Sequence, residues 1–190
     1  IKQLDLKNIT LVVQDWGGVL GLTLPHVMPD RISRLLIMNT AIAIGTPAGK
    51  GFSDWRAYNK SNPDMDIAAL MARATPILTE SEAAAYGAPF PDITFKAGVR
   101  RFPDMVMTDP EMEGVEHSKA AVQFYQNDWA GESFMAIGMQ DPVLGPPVME
   151  WLKNVIKGCP EPMKIADGGH FVQEWGGPIA TAAMKHWGDI

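Results

Sequence analysis

The run Ile9-Thr10-Leu11-Val12-Val13, followed at once by Gln14-Asp15-Trp16-Gly17-Gly18, is the segment that most limits how this chain can fold. Its unbroken apolar and β-branched character reads as a short strand covered on both faces. Glycines just past the turn admit a sharp reversal into a helix, which Val19 to His26 supplies and Pro25 cuts short or bends. A second buried strand, Ile32 to Met38, closes at Asn39-Thr40. Strand, helix and strand within about 30 residues make a βαβ unit, which requires parallel pairing and a right-handed crossover. The expected fold class is therefore α/β, a mostly parallel sheet flanked by helices.

Three blocks follow from this start. Residues 1–42 form the first part of the main α/β domain. Residues 43–127 change character: helical patterns run from Asp66 to Arg73 and from Glu80 to Tyr86, separated by loops at Ala88–Asp92 and Arg101-Phe102-Pro103, with no strand-like run. This block reads as a helical cap inserted between sheet elements. Residues 128–190 return to the main domain, with strands at Phe134–Met139 and Met163–Ala166 and helices at Pro146–Ile156 and Pro178–Trp187.

Composition narrows the function classes. With 46% apolar and 20% charged residues over 190 positions, the chain has material for a buried core and falls outside the disordered classes. A net charge of −6 without a basic patch gives no electrostatic support for nucleic-acid or anionic-membrane binding. The single cysteine, Cys159, makes no internal disulfide and no CxxC site, and neither a metal nor a cofactor is expected. No apolar stretch approaches the ~18 residues of a membrane span. The first residues, IKQLDLKN, do not read as a signal peptide, and a cytoplasmic location is expected.

The chemistry concentrates at three points. Val13 to Gly18 resembles the nucleophile elbow of α/β-hydrolases, with Asp15 at the exposed apex where the serine version has its hydroxyl. A carboxylate there attacks carbon to form an ester that water later hydrolyses. The plainer alternative makes Asp15 a helix N-cap. Gly138-Met139-Gln140-Asp141 places an acid just past one strand, and Gly168-Gly169-His170-Phe171 places a histidine just past the next. Asp15, Asp141 and His170 thus follow the nucleophile–acid–base order of that superfamily, each at a strand's C-terminal end, where ligand sites of parallel sheets gather. His26, His117 and His186 have no partner motif and read as surface or packing residues.

Together, VVQDWGG, GFSDWRAY, APFPD, AGVRRFPDMV, FMAIGMQDPVLGP, GCPEP and GGHFVQE resemble the haloalkane dehalogenases of the α/β-hydrolase superfamily, in the subfamily with a V-Q-D-W-G-G elbow. The resemblance implies that Asp15 displaces halide from carbon, that His170, oriented by Asp141, activates water, and that the Trp16 N–H serves the oxyanion. It implies that the indoles of Trp16 and Trp55 hold the leaving halide, an ion an N–H donor can serve without acting as a base. Phe52, Phe102, Pro103, Val143 and Leu144 fall where the family lines its apolar pocket. Trp129, Trp151, Trp175 and Trp187 match no halide position. The implied partners are a small haloalkane, water and chloride or bromide, handled by a monomer.

The family carries much of its sheet ahead of the elbow, together with a His-Gly loop that gives a second oxyanion donor. The expectation is therefore that these residues are the C-terminal two-thirds of a longer protein and fold poorly alone. Two rival functions remain open at this point. An epoxide hydrolase also uses an Asp nucleophile, but needs cap tyrosines, for which Tyr58, Tyr86 and Tyr125 are available. A non-catalytic hydrolase-fold fragment keeps the motifs without a complete site. Fluoroacetate dehalogenases need arginines after the nucleophile, which Trp16-Gly17-Gly18 does not provide.

Overall fold

A computed structural model describes residues 1–190. The leading apolar run forms strand β1 (Ile9–Asp15), which turns directly into helix α1 (Trp16–Gly21). The chain then breaks at Leu22-Thr23 and resumes as the single turn α2 (Leu24–Val27), with Pro25 in its first turn, where a missing N–H costs nothing. Strand β2 (Ile32–Thr40) completes the βαβ unit. The inserted helices are α3 (Lys50–Ser61), α4 (Ile67–Ala74), α5 (Glu80–Gly87), α6 (Ala97–Met105) and α7 (Val115–Asn127). Strand β3 (Glu132–Gly138), helix α8 (Pro146–Val155), strand β4 (Met163–Ile165) and helix α9 (Gly176–His186) finish the chain.

The sheet runs in the order β1-β2-β3-β4 with every pair parallel. Alternation along the strands feeds two cores. Leu35, Ile37, Met135 and Ile137 point to one face, where Leu22, Ala121, Tyr125, Met149 and Leu152 meet them. Leu36, Met38, Phe134 and Ala136 point to the other, against Val172, Ile179 and Ala183. Because all four strands run the same way, their C-terminal ends share one edge of the sheet.

Three expectations are corrected. β1 is not covered on both faces: it pairs only with β2, and Val12 is 57% exposed. Arg101-Phe102-Pro103 is not a loop but part of α6, with Pro103 inside the helix. Finally, α7 lies within the block 43–127 but packs with the sheet, because its stripe Val115, Ser118, Ala121 and Tyr125 faces the core shared with α8. The separate helical layer is α3–α6, gathered around Met65, Ile67 and Met71. Local signals set its helix starts: Asp66 caps α4 through the Ala69 N–H, and Thr79 with Glu82 forms a capping box on α5. No helix is long and apolar enough to cross a membrane.

Candidate active site

The turn from β1 into α1 forces Asp15 to φ 47° and ψ −122°, a backbone state that a residue with a Cβ adopts only under constraint. Two neighbours impose it. The Thr40 hydroxyl at the end of β2 donates to the Asp15 carbonyl at 2.6 Å. Gly18 lets α1 sit against β2, since a Cβ there would lie 2.0 Å from the Thr40 Oγ1. Asp15 is thereby held out at the sheet edge, its side chain 40% exposed, and no side-chain cap bond ties it to α1. The N-cap alternative is thus not how its carboxylate is used.

Asp141 follows β3 and is sealed, with a side-chain exposure of 0%. Its two oxygens divide their work. Oδ1 accepts the main-chain N–H groups of Val143 at 2.8 Å and Leu144 at 3.1 Å. Oδ2 accepts from Asn39 Nδ2 at 2.9 Å and lies 2.8 Å from His170 Nδ1. Burial favours the neutral acid, but the bond and charge of His170 and the donors Asn39 and Val143 outweigh it, holding Asp141 below the usual carboxylate range. The carboxylate fixes His170 with Nδ1 protonated and Nε2 facing the cleft.

His170 follows β4 on the Gly168-Gly169 turn, and the Gln14 side chain on β1 clamps its carbonyl at 2.9 Å. Its Nε2 stands 3.6 Å from Asp15 Oδ1, too far for a hydrogen bond but facing the same space. Burial disfavours the imidazolium. The hydrogen bond and charge of Asp141, with the charge of Asp15, more than offset this and raise the imidazole above the ordinary histidine value.

These groups open into a cleft of about 920 Å³ between the sheet edge and α3–α6. Its lining includes all ten residues singled out from sequence: Asp15, Trp16, Phe52, Trp55, Phe102, Pro103, Asp141, Val143, Leu144 and His170. The Trp16 and Phe102 rings meet edge to face at 4.9 Å. The remaining wall is mostly apolar, with Arg73 at α4 as a cationic group. No tyrosine lines the cleft. Tyr125 is fully buried in the core, Tyr86 bonds to Glu174, and Tyr58 lies against Trp55 and Arg73. His26, His117 and His186 and the other four tryptophans lie outside the cleft.

Sequence reading missed Asn39 and Thr40 as site residues. Asn39 also donates to the Gly138 carbonyl and accepts the Gly138 N–H, so one buried amide ties β2 to β3 and orients the acid. The available signal was two polar residues ending a strand otherwise buried, at the edge where ligands bind.

A profile of the α/β hydrolase fold family matches residues 1–177. The chain belongs to the α/β-hydrolase family. Among curated proteins it is 35% identical to a haloalkane dehalogenase of Psychrobacter cryohalolentis, over 92% of this chain and 58% of that protein. It is 34% identical to haloalkane dehalogenase 1 of Mycobacterium bovis, over 98% of this chain and 62% of that one. The chain thus spans about 60% of the length of these relatives. Among solved structures, the tetrameric haloalkane dehalogenase DpaA of Paraglaciecola agarilytica NO2 superposes with a TM-score of 0.92 at 50% identity, covering 96% of this chain and 61% of that one. Asp15, Asp141 and His170 each stand at or just past the C-terminal end of a strand, in the chain order of that family's fold.

Proposed function

We propose that this α/β-hydrolase removes halide from haloalkanes by hydrolysis, leaving an alcohol. The observation that carries the reading is Asp15: a carboxylate held in strained backbone at the sheet edge, with the imidazole of His170 beside it and two tryptophans on the same cleft. A carboxylate oxygen of Asp15 attacks the halogen-bearing carbon. A C–O bond forms, the carbon–halogen bond breaks, and halide departs. The indole N–H groups of Trp16 and Trp55 take up the charge moving onto it. Water then gives a proton to His170 Nε2 while its oxygen adds to the side-chain ester carbon of Asp15, Cγ, and the main-chain N–H of Trp16 supports the oxyanion. Collapse expels the alkoxide, which takes the proton back from His170; Asp15 keeps one oxygen from water and loses water's second hydrogen to solvent as a proton, which restores its carboxylate. Asp141 stays ionised and steadies the imidazolium.

An epoxide substrate is disfavoured by the same cleft, which has no tyrosine to protonate the ring oxygen. The deciding experiment gives the full-length protein 1,2-dibromoethane and styrene oxide in parallel. Bromide release without diol is expected; diol without bromide selects the rival chemistry, and neither product selects the inert fold. The relatives named haloalkane dehalogenases support this choice of substrate class. The tetramer described for the Paraglaciecola relative lends no support to the expected monomer.

The indole roles carry their own prediction. Trp16→Phe and Trp55→Phe keep aromatic bulk and remove only an N–H. Each is expected to lower kcat/KM for 1,2-dibromoethane by roughly 10²–10³, the range seen on losing one donor to a developing anion. Turnover unchanged in both variants would leave the tryptophans as wall and nothing more.

A further inference from the structure

Pro103 stands inside α6, where proline does not ordinarily belong. A residue at that position donates its main-chain N–H to the carbonyl four residues back, here that of Val99. Proline has no such hydrogen, and its ring crowds the same carbonyl. The Val99 carbonyl is nevertheless satisfied, because Asn59 Nδ2 donates to it at 2.9 Å from the neighbouring helix α3. Asn59 is the one buried residue of α3, only 3% exposed. A buried amide is costly unless it has a fixed partner, and this one has a carbonyl that its own helix cannot serve.

The bond joins two helices that both wall the cleft. α3 carries Phe52 and, one turn before Asn59, Trp55. α6 carries Phe102 and Pro103, and the Phe102 ring abuts that of Trp16. The distance between the two indoles therefore depends on where α3 sits relative to α6. Two N–H donors serve one ion only when both reach it, and hydrogen bonds weaken steeply as they lengthen or bend.

We propose that Asn59 is a positioning residue for the halide pair: by supplying the hydrogen bond that Pro103 removes from α6, it fixes the spacing of Trp55 and Trp16. The inference rests on the halide reading above. It assigns Asn59 no contact with substrate. A general loss of stability and a loss of spacing are separated by placing the change in two backgrounds.

The test is bromide titration of the full-length protein by tryptophan fluorescence, in wild type, Asn59→Leu, Pro103→Ala and the double variant. Leucine keeps the branched outline of asparagine and drops the donor. Asn59→Leu is expected to weaken bromide binding about five- to tenfold, the scale of one buried hydrogen bond. In the Pro103→Ala background the main chain serves Val99 itself, so removing Asn59 is expected to change bromide affinity less than about twofold. An equal loss in both backgrounds, or none in either, overturns the proposal. Should Asn59→Leu alone fail to fold, Pro103→Ala against the double variant still decides: retained affinity supports the coupling, lost affinity refutes it. A wild type that neither binds nor releases bromide overturns the halide reading, and this inference with it.

Discussion

His170→Ala is expected to turn a cycling enzyme into one that fires once. The attack of Asp15 on carbon needs no proton transfer, so the full-length variant releases one equivalent of bromide from 1,2-dibromoethane and stops. The second half-reaction needs a base at Nε2, and no other group near Asp15 replaces it: Asp141 is sealed behind the imidazole. Steady-state turnover falls by roughly 10²–10⁴, the usual worth of a general base. Intact mass is expected to show the alkyl group retained, and peptide mapping to place it on Asp15. Bromide release without an adduct would mean that water, not Asp15, attacks the carbon.

In the unaltered protein the same step carries a pH signature. His170 titrates above the ordinary histidine value partly because Asp15 is charged. A raised value means that the protonated form persists to higher pH, so the free base gains population only as pH rises through it. Esterification of Asp15 removes one of the charges holding that proton. Ester hydrolysis in a single turnover is therefore expected to rise with pH along a limb below the titration of His170 in the free enzyme, as read from its imidazole resonance. A limb at or above that titration would show that the Asp15 charge does not govern His170.

Much of this site could be read from the chain because its parts depend on short segments. An elbow needs a strand end, an apex residue and small residues within a few positions, and Val13 to Gly18 contains all of them. Parallel strands then deliver Asp141 and His170 to the same edge without further instruction. What could not be read are relations between distant segments. Pro103 looked like a loop residue because the Val99 carbonyl it leaves open is served by an amide forty positions before Val99. Asn39 looked like the end of a strand because its partners, Gly138 and Asp141, lie about a hundred residues on. Val12 looked buried because its composition says so, whereas its exposure is set by which strands and helices stand beside β1.

The two glycines after Asp15 show the same division sharply, since the letters Trp16-Gly17-Gly18 give no reason to tell them apart. Around Gly17 a new Cβ meets nothing within 4 Å, while at Gly18 it would sit 2.0 Å from Thr40 Oγ1 and 2.5 Å from Thr40 Cγ2. Thr40 has 0% exposure and its hydroxyl is committed to the Asp15 carbonyl, so it cannot swing aside. Gly18→Ala is expected to push α1 off β2 and to cost about 3 kcal/mol, the upper range for overpacking a tight contact. In a unit of about 150–250 residues that lowers Tm by roughly 6–12 °C, and by less in a longer protein. Turnover is expected to fall with it, because the displaced helix releases the strain that aims Asp15. Gly17→Ala, in the same helix but in open space, is expected to gain roughly 0.5–1 kcal/mol from reduced backbone entropy. Thermal melting and bromide release measured on both variants of the full-length protein check the contrast. Equal effects at the two positions would mean that the elbow is held by glycine flexibility in general, and not by the contact between α1 and Thr40.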